Sequence, residues 1–281
     1  GAEARRAEAL SAAAAADLLV LLFDATRGVA ADEVRIYDAL ASLGKPMVVA
    51  LNKIDLVRRD EAAVLAAAAR TLGLPEGKVL PISATRRLNL DRLLLAIIEA
   101  DPALTASLAA LLPRWRWLLA QHTIARSCTA AATANLITTP IEIPFASFVP
   151  ITAIQVAMVL RLARVFGLRL GPGRAKEVVL ACGSGLLGRT VFYQLVNLVP
   201  IAGYVLGTAV AAGTTGALGY AIAAWFAYGE RPSAERVRRM GAALSRQVAD
   251  RLQPFRQRKE AREHLQQAIE ETLAATEDSL P

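Results

Sequence analysis

Short apolar runs closed by polar residues mark the first hundred residues. The first is Asp17-Leu-Leu-Val-Leu-Leu-Phe23, which closes on Asp24. The second is Met47-Val-Val-Ala-Leu51, which runs into Asn52. The third is Val79-Leu-Pro-Ile82, which ends in Ser83-Ala84-Thr85. Uninterrupted apolar runs of this length, bounded by turn residues, suit strands buried on both faces of a parallel sheet. Helix-periodic segments lie between them, over 31–43, 60–72 and 89–100, and Gly44 and Gly73 stop the first two. Strands alternating with helices imply right-handed crossovers and a parallel sheet. Ligands of such sheets bind at the carboxyl ends of the strands. The loops at 24–28, 52–55 and 83–85 all fall on that edge.

After Asp101 the strand signals vanish. The pattern predicts a long helix over 105–135, a loop broken by Pro140, Pro144 and Pro150, a helix over 151–166, and a linker from Gly167 to Gly173. The chain is most hydrophobic from Val178 to Gly229. Residues 178–199 carry Arg189 amid apolar and small polar residues, Pro200 and Gly203 mark a turn, and 201–229 has no charge. A run of that length would span a bilayer, which needs about 20 apolar residues. Small residues recur four apart at Gly203, Gly207 and Ala211, and at Ala209, Gly213 and Ala217, which lets helix backbones approach closely. Two readings stay open: a hairpin over 178–229 in the membrane, and a soluble bundle that buries both arms. Arg189 at the centre of a membrane helix would cost about 2.5–3.5 kcal/mol. An amphipathic helix follows over 234–252, with Val237, Met240, Leu244, Val248 and Leu252 on one face. Pro254 begins another, carrying Leu265, Ile269 and Leu273.

Composition sharpens the picture in two ways. Hydrophobic residues make up 54% of the 281 but aromatic ones only 5%, so alanine and leucine dominate and helices are favoured. The net charge of +7 arises after residue 100, because the first hundred residues balance. The excess flanks the apolar region, with Arg174 and Lys176 before it and Arg231, Arg236, Arg238 and Arg239 after it. That placement suits an anionic membrane surface. No interleaved aromatic and basic platform for nucleic acid is present. Trp115-Arg-Trp117 reads as core packing for at least one tryptophan, or as an interfacial anchor. Cys128 and Cys182 lie without metal-type spacing and read as reduced and buried. His122 and His264 are isolated from any metal or triad pattern.

The chemistry concentrates in Asn52-Lys53-Ile54-Asp55. Guanine presents two adjacent donors, its ring N1–H and exocyclic amine, which one carboxylate accepts together. Adenine offers neither there, and a buried hydrogen-bonding site rejects what leaves it unpaired. Asp55 is the expected acceptor. Asn52 would fix the loop and reach the base edge, and Lys53 would lay its stem on the base plane. The Ala84 N–H would donate to the guanine carbonyl, Ser83 would brace Asp55, and Thr85 completes the third loop.

These motifs, with Asp24-Ala-Thr-Arg-Gly28 after its strand, resemble the base-recognition half of translation-factor-related small GTPases, most of all the Era-like branch. The resemblance covers about residues 1–100 and implies a partial P-loop GTPase domain of α/β class that binds GTP or GDP. An all-α hydrophobic domain follows over 101–230, then amphipathic helices over 231–281. Hydrolysis needs a Gly-rich loop with Lys and Ser/Thr, a switch Thr and Asp-x-x-Gly. None is present. Gly73-Leu-Pro-Glu-Gly77-Lys78-Val79 is one residue short, lacks the hydroxyl and runs into a strand, so it is rejected. Mg²⁺ is expected only with those motifs, which the family order places before Gly1. Gly183-Ser-Gly-Leu-Leu-Gly188 fits a dinucleotide fingerprint, but no strand precedes it, so helix packing is the better reading.

Residues from about 130 to 229 resemble the YcjF-like domain that bacteria fuse to Era-like GTPases. The carriers are Thr133-Ala-Asn135, Ile141-Glu-Ile-Pro144, Thr152 to Val159, and Gly185-Leu-Leu-Gly188-Arg189. That resemblance implies association with the cytoplasmic side of the bacterial inner membrane, with a soluble cytoplasmic protein as the alternative. The expected protein is a GTP-dependent switch with a protein effector of unknown kind. The competing reading is a membrane scaffold or pore-like protein with a degenerate nucleotide fold.

Overall fold

A computed structural model describes residues 10–75, 77–138, 148–181, 203–230, 233–252 and 258–277. The chain divides into two compact units, 1–108 and 109–281.

The three apolar runs of the first unit form β1 (Leu19–Asp24), β2 (Met47–Asn52) and β3 (Val79–Pro81). They pair in parallel in the order β1-β2-β3, with Asp24 opposite Asn52 and Leu51 opposite Pro81. Helices α1 (Ala31–Ala41), α2 (Glu61–Thr71) and α3 (Leu90–Ala100) connect and follow the strands. Residues two apart on a strand share a face. Phe23, Val49, Leu51 and Val79 therefore meet Tyr37 of α1 and Ala68 and Ala69 of α2 in one core. On the opposite face α3 packs against β2, and Val48 and Ala50 are buried. There β1 is bare: Val20 is 40% exposed and Leu22 57%. β1 is also an edge strand, with no further strand beside it among the described residues.

The segment from 105 onward is broken where one long helix was expected. Helix α4 (Thr105–Leu111) ends, Pro113 opens a 3₁₀ turn (Pro113–Trp115), and α5 (Arg116–Thr138) follows. Leu112 is held out of the helical region, as a residue before proline usually is. Pro150 falls inside α6 (Phe148–Val165), within the first turn, where a missing N–H loses no helical partner. Helix α7 (Pro172–Ala181) begins within the expected linker. Residues 182–202 lie outside the described residues, and with them Cys182, the Gly183–Gly188 motif, Arg189 and most of the first arm of the hairpin; Arg231 lies outside as well.

Helix α8 (Gly203–Tyr228) is the axis of the second unit. It packs against α5, α6, α9 (Ala234–Leu252) and α10 (Arg258–Glu277). It has the length and composition to cross a bilayer over Val205–Tyr228, yet its most apolar 18 residues are nearly all buried by its neighbours, while Tyr228 at the end is exposed. Its small residues permit the close approach. A Cβ on Gly207 would lie 2.7 Å from Asn135 Oδ1 of α5, and one on Gly213 would lie 2.7 Å from Ser245 Cα of α9. Gln155 of α6 donates to Thr215 Oγ1 of α8 at 3.2 Å, a buried polar pair inside this apolar bundle. Trp117 packs near Tyr220, with ring centroids 6.4 Å apart, while Arg114 stacks over Trp115 at 4.7 Å. Val237, Leu244, Val248 and Leu252 of α9 are buried, as are Leu265, Ile269 and Leu273 of α10. Arg251 and Glu271 join the two helices by an ion pair of 2.5 Å. Cys128 is buried and unbridged, and desolvation pushes its thiol pKa up.

Candidate functional site

The carboxyl ends of the strands bring three loops together. Parallel pairing aligns Asp24 with Asn52, so the loops after β1 and β2 leave the sheet side by side. The Ala25 N–H donates to the Asn52 carbonyl at 2.9 Å and joins them. Arg27 and Gly28 N–H groups turn back onto the Asp24 carbonyl, each at 3.1 Å, and Gly28 takes φ +69°, which glycine adopts without steric cost. Thr26 donates its N–H and its hydroxyl to Asp24 Oδ1, at 2.9 and 2.7 Å.

The second loop turns sharply at Lys53. This residue is left-handed, at φ 65° and ψ 29°, a conformation costing a non-glycine residue roughly 1–2 kcal/mol. Two contacts hold it. Its N–H donates to Asn52 Oδ1 at 2.8 Å, and its Nζ meets Asp24 Oδ2 at 2.6 Å. Ile54 anchors the loop from below: it is buried, and its N–H donates to the Ile82 carbonyl at 3.1 Å. The turn leaves Asp55 in a short 3₁₀ helix (Ile54–Leu56), its side chain 15% exposed and 3.9 Å from Arg86 Nε.

The third loop is tied to the second. Ala84 donates its N–H to Asn52 Oδ1 at 3.0 Å. Ser83 is buried; its N–H and carbonyl pair with Leu88, and its hydroxyl accepts the Arg86 N–H at 3.1 Å. Asn89, also left-handed, donates its side-chain amide to the Pro81 carbonyl at 2.8 Å. Ala84, Thr85, Arg86 and Arg87 are exposed.

All six residues singled out from the sequence therefore sit on one edge: Asn52, Lys53, Asp55, Ser83, Ala84 and Thr85. Two internal contacts differ from expectation. The Ala84 N–H points to Asn52 Oδ1, because Asn52 spends that oxygen on bridging two loops. Ser83 braces the turn at Arg86, and the basic group beside Asp55 is Arg86 itself. Sequence reasoning placed the 24–28 loop on this edge but missed the Asp24–Lys53 pair. Its signal was available: an apolar strand closing on a carboxylate, opposite Asn52 in register. The Lys53 ammonium, the Thr26 hydroxyl and the Thr26 N–H hold the Asp24 carboxyl at about 2, below its ordinary 3.8.

The phosphate side is different. The chain contains no Gly-x-x-x-x-Gly-Lys-Ser/Thr segment. Among the described residues no group of three or more His, Cys, Asp or Glu side chains is placed to hold a metal ion.

Residues 4–103 match the elongation factor Tu GTP binding domain. GTPase Era of Rhizobium meliloti (strain 1021) is 46% identical over 54 residues, which are 19% of this chain and 17% of that protein. GTPase Der of the same organism is 35% identical over 114 residues, 39% of this chain and 24% of that protein. The mitochondrial translation factor GUF1 of Debaryomyces hansenii is 33% identical over 97 residues, 34% of this chain and 15% of that protein. The chain thus spans less than a quarter of the length of these relatives. No solved structure matches it.

Proposed function

We propose that the translation-factor-related GTP-binding domain of residues 4–103 reads the guanine base through Asp55, with Asn52, Lys53, Ser83, Ala84 and Thr85 shaping its seat. The carrying observation is the bridge from Asn52 Oδ1 to the N–H groups of Lys53 and Ala84, which holds the second and third loops as one edge beside Asp55. Asp55 would accept the two guanine donors, and the Lys53 stem would flank the ring. The ligand would be GTP or GDP, and this sequence carries no Gly-x-x-x-x-Gly-Lys-Ser/Thr loop to cradle its phosphates. On this reading the chain alone binds guanine nucleotides weakly and does not hydrolyse GTP.

The helical unit would be the output, its state set by the nucleotide and read by a protein effector. A seat at the cytoplasmic face of a bacterial inner membrane is supported by the length and apolar character of Val205–Tyr228 and by the basic residues flanking the apolar region 178–229 in sequence, Arg174 and Lys176 before and Arg231, Arg236, Arg238 and Arg239 after. The likeness of residues 130–229 to the YcjF-like domain points the same way. A soluble bundle is the second reading, and the burial of α8 by its own neighbours favours it.

Titration of the chain with fluorescent GDP and ADP tests the base assignment. GDP should bind more tightly, and Asp55→Ala should abolish the difference. Equal affinities, or an unchanged preference in the variant, would sink the assignment. Flotation with anionic phospholipid vesicles tests the membrane seat, which fails if the chain stays at the bottom of the gradient.

A further inference from the structure

We infer that Asp24, outside the Asn-Lys-x-Asp loop, is a positioning residue of the guanine seat, acting by pinning Lys53. The inference rests on the base-recognition reading above. It also makes a claim about the nucleotide-free loop that stands by itself.

Lys53 is an unusual place for a side chain to be fixed. Its backbone is left-handed, which a lysine adopts only when its surroundings hold it there. Its side chain is half exposed, at 51%, and a lysine that free would ordinarily sample many rotamers. Here its Nζ is fixed by one carboxylate oxygen at 2.6 Å. That carboxylate is immobile too. It stands at the end of β1, in register with Asn52, and its other oxygen accepts two hydrogen bonds from Thr26. The two oxygens divide the labour: Oδ1 closes the first turn and Oδ2 holds the lysine. A charge-assisted pair of this kind is stronger than a neutral hydrogen bond. The low Asp24 pKa agrees with that geometry. Asp24 therefore restricts both the lysine stem and the backbone turn that precedes Asp55.

Asp24→Asn separates the two tasks. Its oxygen still accepts from Thr26, while its amide places a donor opposite the ammonium. Lys53→Met keeps the stem and removes the ammonium. In fluorescent-GDP titrations of the 281-residue chain, each variant should weaken affinity about tenfold, the loss of one charge-assisted hydrogen bond. The double variant should be no weaker than either. Asp24→Glu should recover affinity to within about threefold, and Thr26→Ala should cost less than about twofold. Wild-type affinity in Asp24→Asn, additive losses in the double variant, or an equal loss in Thr26→Ala would overturn the inference. If Asp55→Ala leaves GDP affinity unchanged, the base reading fails instead. Amide exchange of the nucleotide-free chain then decides. Faster exchange at Ile54 and Leu56 in Asp24→Asn, matched by Lys53→Met and not compounded in the double variant, upholds the pinning. Unchanged exchange refutes it.

Discussion

Gly213 sits at a close approach of α8 and α9. The atoms a Cβ would meet there are Ser245 Oγ, the Ser245 backbone nitrogen, and Ser245 Cα at 2.7 Å. A rotamer change relieves only the first. Carbon atoms rest at about 3.5–4.0 Å, so Gly213→Ala must push the two helices apart by roughly 1 Å. Overpacking of that kind costs about 1–3 kcal/mol, and a backbone obstacle belongs at or above the upper end. Alanine returns about 1 kcal/mol through helix propensity. The net loss is about 2 kcal/mol, which lowers the Tm of a unit this size by roughly 4–8 °C. The three tryptophans, Trp115, Trp117 and Trp225, all lie in the helical unit, so thermal unfolding followed by their fluorescence reports that unit alone. Gly241→Ala is the control. Its Cβ would meet Ala217 Cβ at an ordinary 3.5 Å, so that variant should match the wild type or exceed it by up to about 1 kcal/mol. If Gly213→Ala proves as stable as Gly241→Ala, the helices do not approach as described.

Two further outcomes are expected. Thr215→Val removes the hydroxyl that accepts from Gln155 and leaves a buried amide donor unpaired, which should cost about 1–3 kcal/mol in the same assay. Gln155→Leu combined with Thr215→Val should recover most of that loss, and a double variant worse than the single would refute the pairing. Asp24 has its pKa lowered by folding, so its contribution to stability is fully present above its ordinary 3.8 and disappears as pH falls towards about 2. Carboxyl carbon NMR should place its midpoint near the lower value, and a midpoint near 4 would show that the Lys53 pair does not form.

The β-strands and the placement of the Asn52–Asp55 loop were legible because local pattern and tertiary placement agree there. Leu19–Phe23 is apolar without interruption, and parallel pairing with β2 follows from the crossover between them. The contacts within the site were less so. Asn52 offers one oxygen to two donors, and which donors reach it depends on how Ser83–Leu88 closes, which spacing does not state. Asp24 joined the site only through register, since it lies 29 positions before Lys53. In the helical unit, Pro113 and Pro150 are the same residue type with opposite outcomes. Pro113 opens a separate turn, while Pro150 lies in a first turn that tolerates it. Helix α8 was the least legible, because a helix apolar on every side has the same composition in a bilayer as at the centre of a bundle.

The uncovered margin of β1 has a practical consequence. Among the described residues no strand pairs with its outer backbone, which Val20 and Leu22 flank, the arrangement that recruits a foreign strand. Handled by itself at high concentration, the chain carries a template for sideways growth into oligomers. A single lysine in place of Leu22, pointing away from the core of α1 and α2, would act there as a gatekeeper without touching the nucleotide edge.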